Sequence, residues 1–464
     1  MSVTTQEFID AEPTSGKQRL VVFILFLVML MEGMNEIGVA QLWGTLATPV
    51  AAGGWGVSFE AITVIVTLGT IAIAVGAVVA GTLADRIGRK NTLFTGLIVF
   101  MVFAAALSFA PNVVSFGVLR ILSCVGLGAV FVTALAFVGD LTRHTSRARL
   151  TTVVAAGAGT GGVVAAVLSA ALLEDVGWRN ILLIVALLPI VVFPLVALIV
   201  PESPGLLVLR AKSPDKVRKA LHGLLPSRDI SGVDLVTVVR SEEEAVNPVK
   251  TLFTRGLASR TIVLWVLFIA FYATLNFVLQ YLPVLLEHPA PAGPGFSAED
   301  ASIVFAVMAM GGVLGALVIS VAVGKINPFV VIGVSWSLAL VLLVIIVLVP
   351  ASIDLYLVLF GLFGAALIGG TAAAGTLPVL TYPLSARGTG TGAATGVGGG
   401  FGTTVGGFAG GALIATGIGT SAILLVVLAP VGLGVVLVTV LGALTARHVR
   451  GSSTPVSDKV TVGG

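Results

Sequence analysis

A chain of 464 residues that is 57% hydrophobic and 10% charged, with a mean hydropathy of +1.11, is excluded from the ordinary class of water-soluble globules. Its formal net charge of +3 is too small to read as a nucleic-acid footprint. The single cysteine, Cys124, rules out an intrachain disulfide and reads as a packing residue, so no redox chemistry is implied.

In chain order, a polar tail (1–19) precedes an apolar run long enough to stay in a membrane as its own insertion signal, and no signal peptide is expected. With about 20 apolar residues per span, twelve spans are expected, starting near residues 20, 59, 91, 114, 150, 180, 261, 299, 328, 354, 388 and 421. A hydrophilic segment (201–260) carrying Pro204, Pro214, Pro226 and Pro248 separates a bundle at 20–200 from one at 261–444, and 445–464 form a second tail. The expected fold is an all-α membrane protein of twelve transmembrane helices in two six-helix halves. Lysine and arginine test this arrangement, because they concentrate in cytoplasmic loops. With both termini inside, all 25 cations except Arg120 and Arg179 fall on the cytoplasmic side.

Charges inside the spans are the candidate working groups. Glu32 and Glu36 lie near the middle of the first span at i, i+4 spacing, hence on one face, with Asn35 beside them. An ionised carboxylate in hydrocarbon costs several kcal/mol, so such residues face a wet cavity or a partner, and one of these two can exchange a proton. The fourth span holds Arg120, whose planar fork matches a carboxylate, either that of Glu32 or Glu36 or that of a substrate. On the seventh span Asn276, Gln280 and Tyr281 offer neutral hydrogen-bonding groups for a substrate or an outer gate, or for bonding between helices. Phe271 and Tyr272 nearby are packing residues that can also stack on an aromatic ring. Glycines crowd the eleventh span, in small-xxx-small pairs such as Gly402/Gly406 and Gly406/Gly410, and predict close helix contact or a bendable helix. No nucleophile or metal-ligand spacing appears, since the four histidines are scattered over loops and tails. No enzyme activity, metal or cofactor is expected.

Between the second and third spans lies Gly81-Thr-Leu-Ala-Asp-Arg-Ile-Gly-Arg-Lys90, which resembles the signature loop of the major facilitator superfamily. Pro201-Glu-Ser-Pro-Gly-Leu-Leu207 and Trp178-Arg179 are similar to segments shared by the sugar porters and the aromatic-acid:proton symporters of that superfamily. Tyr281-Leu-Pro-Val-Leu-Leu286 and Tyr382-Pro-Leu-Ser-Ala-Arg-Gly-Thr-Gly390 resemble the aromatic-acid group. There are departures. The group's D-G-x-D stands here as Glu32-Gly33-Met34-Asn35, a glutamate before the eleventh span is Ser385, and a G-R-x-G arginine is replaced in Gly398-Gly-Gly-Phe-Gly402.

The resemblance implies halves related by a pseudo-two-fold axis, with the substrate site between them. It implies gating by Gly81, Asp85, Arg86, Gly88 and Arg89 of the loop, together with Asp140, Arg147 and Arg149 after the fourth span, through ion pairs that lock the outward-open state. The expected function is proton-coupled import of a small organic acid, aromatic by resemblance, across the bacterial cytoplasmic membrane by a monomer without nucleic-acid partners. In that reading Glu32, Glu36 and Arg120 couple the proton, and Asn35, Arg120, Asn276, Gln280 and Tyr281 bind substrate. A sugar or polyol:proton symporter, a small-molecule exporter and a non-transporting membrane receptor are the alternatives.

Overall fold

The computed structural model describes residues 2–11, 14–52, 54–209, 214–225, 234–236, 252–254, 257–289, 292–349, 352–382 and 390–452. Among these, eleven helices are long and apolar enough to cross a membrane. We number the spans α1 (Gly16–Ala40), α2 (Phe59–Ile87), α3 (Arg89–Leu107), α4 (Val113–Leu141), α5 (Thr145–Leu173), α6 (Asp175–Ile199), α7 (Ala258–Glu287), α8 (Ala298–Val323), α9 (Pro328–Leu348), α10 (Ile353–Ala374), α11 (Gly400–Ala415) and α12 (Thr420–Ser452). The exception to the length criterion is α11. Its glycine-rich approach, Ala394–Gly399, winds as a π-helix, and 383–389, which include Ser385 and Arg387, lie outside the described residues.

Local chemistry sets the span starts. Ser15 and Gln18 form a reciprocal capping box on α1, and Asn112 and Ser115 do the same on α4. Ser58, Ser297 and Asn327 cap α2, α8 and α9, with Pro328 in the first turn of α9. Side chains such as Leu317, Val318, Val334, Leu338 and Leu198 remain exposed. A belt of this kind is stable only against lipid. The sole strand pairing among the described residues is a three-residue parallel ladder, Ser2–Thr4 with Asp234–Val236.

Each half is held by the same helix pairs in the same order. In the first half α1 packs on α5 and α2 on α4; in the second α7 packs on α11 and α8 on α10. Glycine makes these contacts close. A Cβ at Gly33 would sit 2.0 Å from the Ala158 carbonyl oxygen and one at Gly161 2.1 Å from that of Leu30; the counterpart in the second half is Gly406, 2.2 Å from that of Ala273. Gly33→Val should therefore force α1 away from α5 at a cost of about 1–3 kcal/mol. The check is a lower Tm of the purified protein, with Gly81→Val, whose Cβ meets open space, as the unaffected control.

The two exceptions to the charge rule have structural explanations. Arg179, on the face opposite the signature turn, donates from Nη1 to the carbonyls of Ser108 (2.9 Å) and Ala110 (3.0 Å) and stacks on Trp178 and Trp55. It thus satisfies carbonyls just beyond the C-terminus of α3. Arg120, the other exception, belongs to the candidate site.

The halves meet through α2 with α11 and α5 with α8, and they close on the far face. A Cβ at Gly411 would meet Thr63, one at Gly407 Val66, and one at Gly44 the Glu287 carboxylate. One hydrophobic cluster there runs from Met34, Ile65 and Val66 to Phe277, Tyr281 and Leu285. Toward the basic face, which carries the signature turn, Gly81, Gly392, Gly396 and Gly400 have nothing within 4 Å of a Cβ position. The hydrophobic cluster on that side contains no residue of α7–α12. Among the described residues the passage between the halves is therefore shut at the far face and open at the basic face.

Candidate transport site

At the level where the far-face closure begins, α1 and α4 bring Glu32, Asn35, Glu36 and Arg120 together. Arg120 is 5% exposed and Glu32 3%, so neither reaches water at the membrane surface. Arg120 Nη1 donates to Asn35 Oδ1 at 3.0 Å, and Nη2 donates to the Glu36 backbone carbonyl at 3.3 Å. The guanidinium has no carboxylate within 4.0 Å among the described residues. Asn35 stands where the resembling motif carries its second aspartate. It therefore orients Arg120 without neutralising it.

Glu32 is buried, and its Oε2 has no hydrogen-bond donor among the described residues. A carboxylate so placed costs several kcal/mol as an anion. Glu36 is half-buried and lines a narrow cleft with Arg120, Trp43, Ile65, Val66, Thr70 and, from the second half, Gln280. Cys124 also lines it.

Of the three α7 candidates, only Gln280 joins this cleft. Asn276 donates from Nδ2 to the Thr403 carbonyl at 2.8 Å, and Tyr281 Oη donates to the Gly407 carbonyl at 2.8 Å. Both engage the α11 backbone, where absent side chains leave carbonyls accessible. Phe271 stacks on Trp336, its ring centroid 3.7 Å away, and Tyr272 on Phe268 at 6.0 Å. Trp43 and Thr70 were not singled out by sequence. Their polar atoms carry no spacing signal, since Thr70 enters the cleft only because α2 lies against α4, and Trp43, just beyond α1, only because its ring meets Phe116 of α4.

A second polar centre joins the signature turn to the rest of the first half. Arg89 Nε pairs with Asp140 of α4. Glu202, of the Pro-Glu-Ser-Pro segment, accepts the backbone N–H of Arg89 at 2.9 Å and of Lys90 at 3.2 Å, capping α3 from 113 residues away. Arg86 and Arg149 are exposed and Arg147 is half-buried, while Asp85 lies in the last turns of α2. The Arg89–Asp140 pair links two elements of one half, so it persists while the basic face is open.

Gly88 is required there on two counts. Its φ is 105°, and a Cβ would lie 2.2 Å from Glu202 Oε2. Gly88→Ala should cost about 1–3 kcal/mol in backbone strain and expel the Glu202 cap. Protein should still reach the membrane in normal amount but move substrate at less than about a tenth of the wild-type rate, as an uptake assay in cells would read.

Twelve spans in two equivalent halves, a buried charged site between them and a passage open on one face define a membrane transporter of the alternating-access kind. The Major Facilitator Superfamily model matches residues 21–402, and the chain belongs to that superfamily. It is 28% identical over 445 residues to the 4-hydroxybenzoate transporter of Pseudomonas putida, covering 96% of this chain and 97% of that protein. It is 27% identical over 417 residues to the gallate transporter of the same organism, covering 90% of each. Among solved structures, the xylose transporter of Escherichia coli in a partially occluded inward-open conformation matches with a TM-score of 0.65 at 15% identity, over 92% of this chain and 98% of that one. The family is one of transporters and not of enzymes.

Proposed function

We propose that the protein imports aromatic carboxylates together with a proton. One observation carries this reading: Arg120 is buried, held in place by Asn35 and the Glu36 carbonyl, and has no carboxylate within 4.0 Å among the described residues. The carboxylates of Glu32 and Glu36 act on Arg120 through space without bonding it, so the guanidinium keeps bonding capacity that a substrate carboxylate can fill in a two-pronged match. The cleft beside Arg120 holds only about 10 Å³, room for about one water, so in this reading the halves part at this level to admit the ring, which then lies against Trp43, Ile65 and Val66 with Gln280 beside a ring substituent. The relatives named for 4-hydroxybenzoate and gallate support an aromatic acid as cargo.

In this reading the basic face is cytoplasmic, as the distribution of lysine and arginine favours, both termini are inside, and the passage opens to the cytoplasm of a bacterial cell. Glu32 or Glu36 takes up the proton from the far side. Release of substrate from Arg120 and of the proton from the acid then lets the halves rock back. Each chain contains a whole site, so it works as a monomer, and no nucleic acid takes part.

The test is uptake into proteoliposomes of labelled 4-hydroxybenzoate, benzoate and a hexose under an inward proton gradient. Accumulation of the aromatic acids that collapses with a protonophore is expected. Accumulation of the hexose alone, or aromatic-acid uptake indifferent to the protonophore, would contradict the proposal.

A further inference from the structure

On the lipid-facing side of the first half, well away from the central site, the basic ends of α1, α3 and α6 enclose a groove of about 660 Å³. Its roof is the short amphipathic helix Pro214–Leu224, which buries Val217, Leu221 and Leu224 and leaves Lys219 exposed. Three lysines line the groove: Lys17 from the first turn of α1, Lys90 from the first turn of α3, and Lys219. Lys90 Nζ donates to the Ala197 carbonyl at 2.7 Å. Neither Lys17 nor Lys219 has an ion pair among the described residues.

Among the described residues the one acid in the lining, Glu202, is already engaged by the backbone N–H groups of Arg89, Lys90 and Ser203. The groove is therefore net positive. Its lower wall is apolar and open to the bilayer, with Leu20 43% and Leu198 85% exposed. A soluble anion would satisfy the lysines and leave the leucines uncovered. A phosphodiester with an acyl chain satisfies both, and basic pockets between spans on the cytoplasmic side have the chemistry to hold such headgroups.

We propose that this groove is a binding site for an anionic phospholipid, its phosphate between Lys17, Lys90 and Lys219 and one chain running down past Leu20 and Leu198. Bound there, the lipid ties the Pro214–Leu224 helix to the first half and stands beside the Glu202 cap of the signature turn.

The test is native mass spectrometry of the full-length protein titrated with phosphatidylglycerol, cardiolipin or phosphatidylcholine, each with and without excess inorganic phosphate. Anionic lipid should bind at least about tenfold tighter than phosphatidylcholine, and free phosphate should displace little of it. Lys17→Gln with Lys219→Gln should weaken anionic-lipid binding by roughly 30-fold, about fivefold per lysine, without changing phosphatidylcholine binding. Lys17→Arg with Lys219→Arg should retain the preference, showing that the glutamine pair acts through charge and not through misfolding. Equal binding of the two lipid classes, an undiminished preference in the glutamine pair, or full displacement by inorganic phosphate would each overturn the lipid site.

Discussion

Replacing Arg120 with alanine should abolish aromatic-acid uptake, lowering kcat/KM by at least about 100-fold, because removing one partner of a buried charge pair costs about 3–5 kcal/mol. The loss is expected to be large because the guanidinium has no alternative work. It bonds only Asn35 Oδ1 and the Glu36 carbonyl and meets no carboxylate within 4.0 Å among the described residues. Arg120→Lys keeps a cation but not the planar fork, so it should recover part of the binding and little of the selectivity among ring substituents. The measurement is initial uptake rate against concentration for both variants, after confirming equal amounts of protein in the membrane. An alanine variant with near-normal KM would remove Arg120 from the substrate site.

Neutralising the first-span acids should separate substrate movement from proton coupling. Glu32→Gln keeps the volume and removes the charge from a position where Oε2 is buried without a hydrogen-bond donor, so the fold is expected to survive. The variant with Glu32→Gln and Glu36→Gln should lose accumulation driven by a proton gradient, falling to the equilibrium level. Exchange of labelled for unlabelled substrate across the membrane should continue within about tenfold of the wild-type rate, because exchange needs no net proton transfer. Full gradient-driven accumulation by the double variant would place the proton elsewhere. Loss of exchange as well as accumulation would mean that the acids hold substrate or structure instead of the coupling proton.

The spans were legible because hydropathy is an unambiguous signal at their length. A run such as Pro328–Leu348 can be nothing else in a chain whose cations fall almost entirely on one side. The eleventh span was the weakest, and its glycines explain why. Gly402, Gly406 and Gly410 let α11 press on α7, whereas the preceding Ala394–Gly399 relaxes into a π-helix that composition does not announce. Glu32, Glu36 and Arg120 stood out as charges amid apolar residues, and the fold brings them together. Asn276, Gln280 and Tyr281 share one stretch of α7, but spacing on one helix says nothing about which neighbour each side chain meets. Two of the three turned out to hold α11 carbonyls. Glu202 was visible as part of a motif, while its capping of α3 depends on tertiary packing across 113 residues. Closure at the far face was equally invisible, since Gly44 meets Glu287 only through the relative placement of the two halves.

The central claim, that a buried Arg120 is kept out of any direct ion pair so that it can receive a substrate carboxylate, is tested most directly by ligand charge. Trp43 lines the cleft and provides a native fluorescence reporter for titrating purified protein with 4-hydroxybenzoate and with its neutral amide. The account predicts that the carboxylate binds at least about 30-fold tighter than the amide to the wild-type protein, and that Arg120→Ala binds the two alike, since a charge-assisted hydrogen bond contributes about 1.5–3 kcal/mol. Equal affinity of the wild-type protein for acid and amide would contradict it.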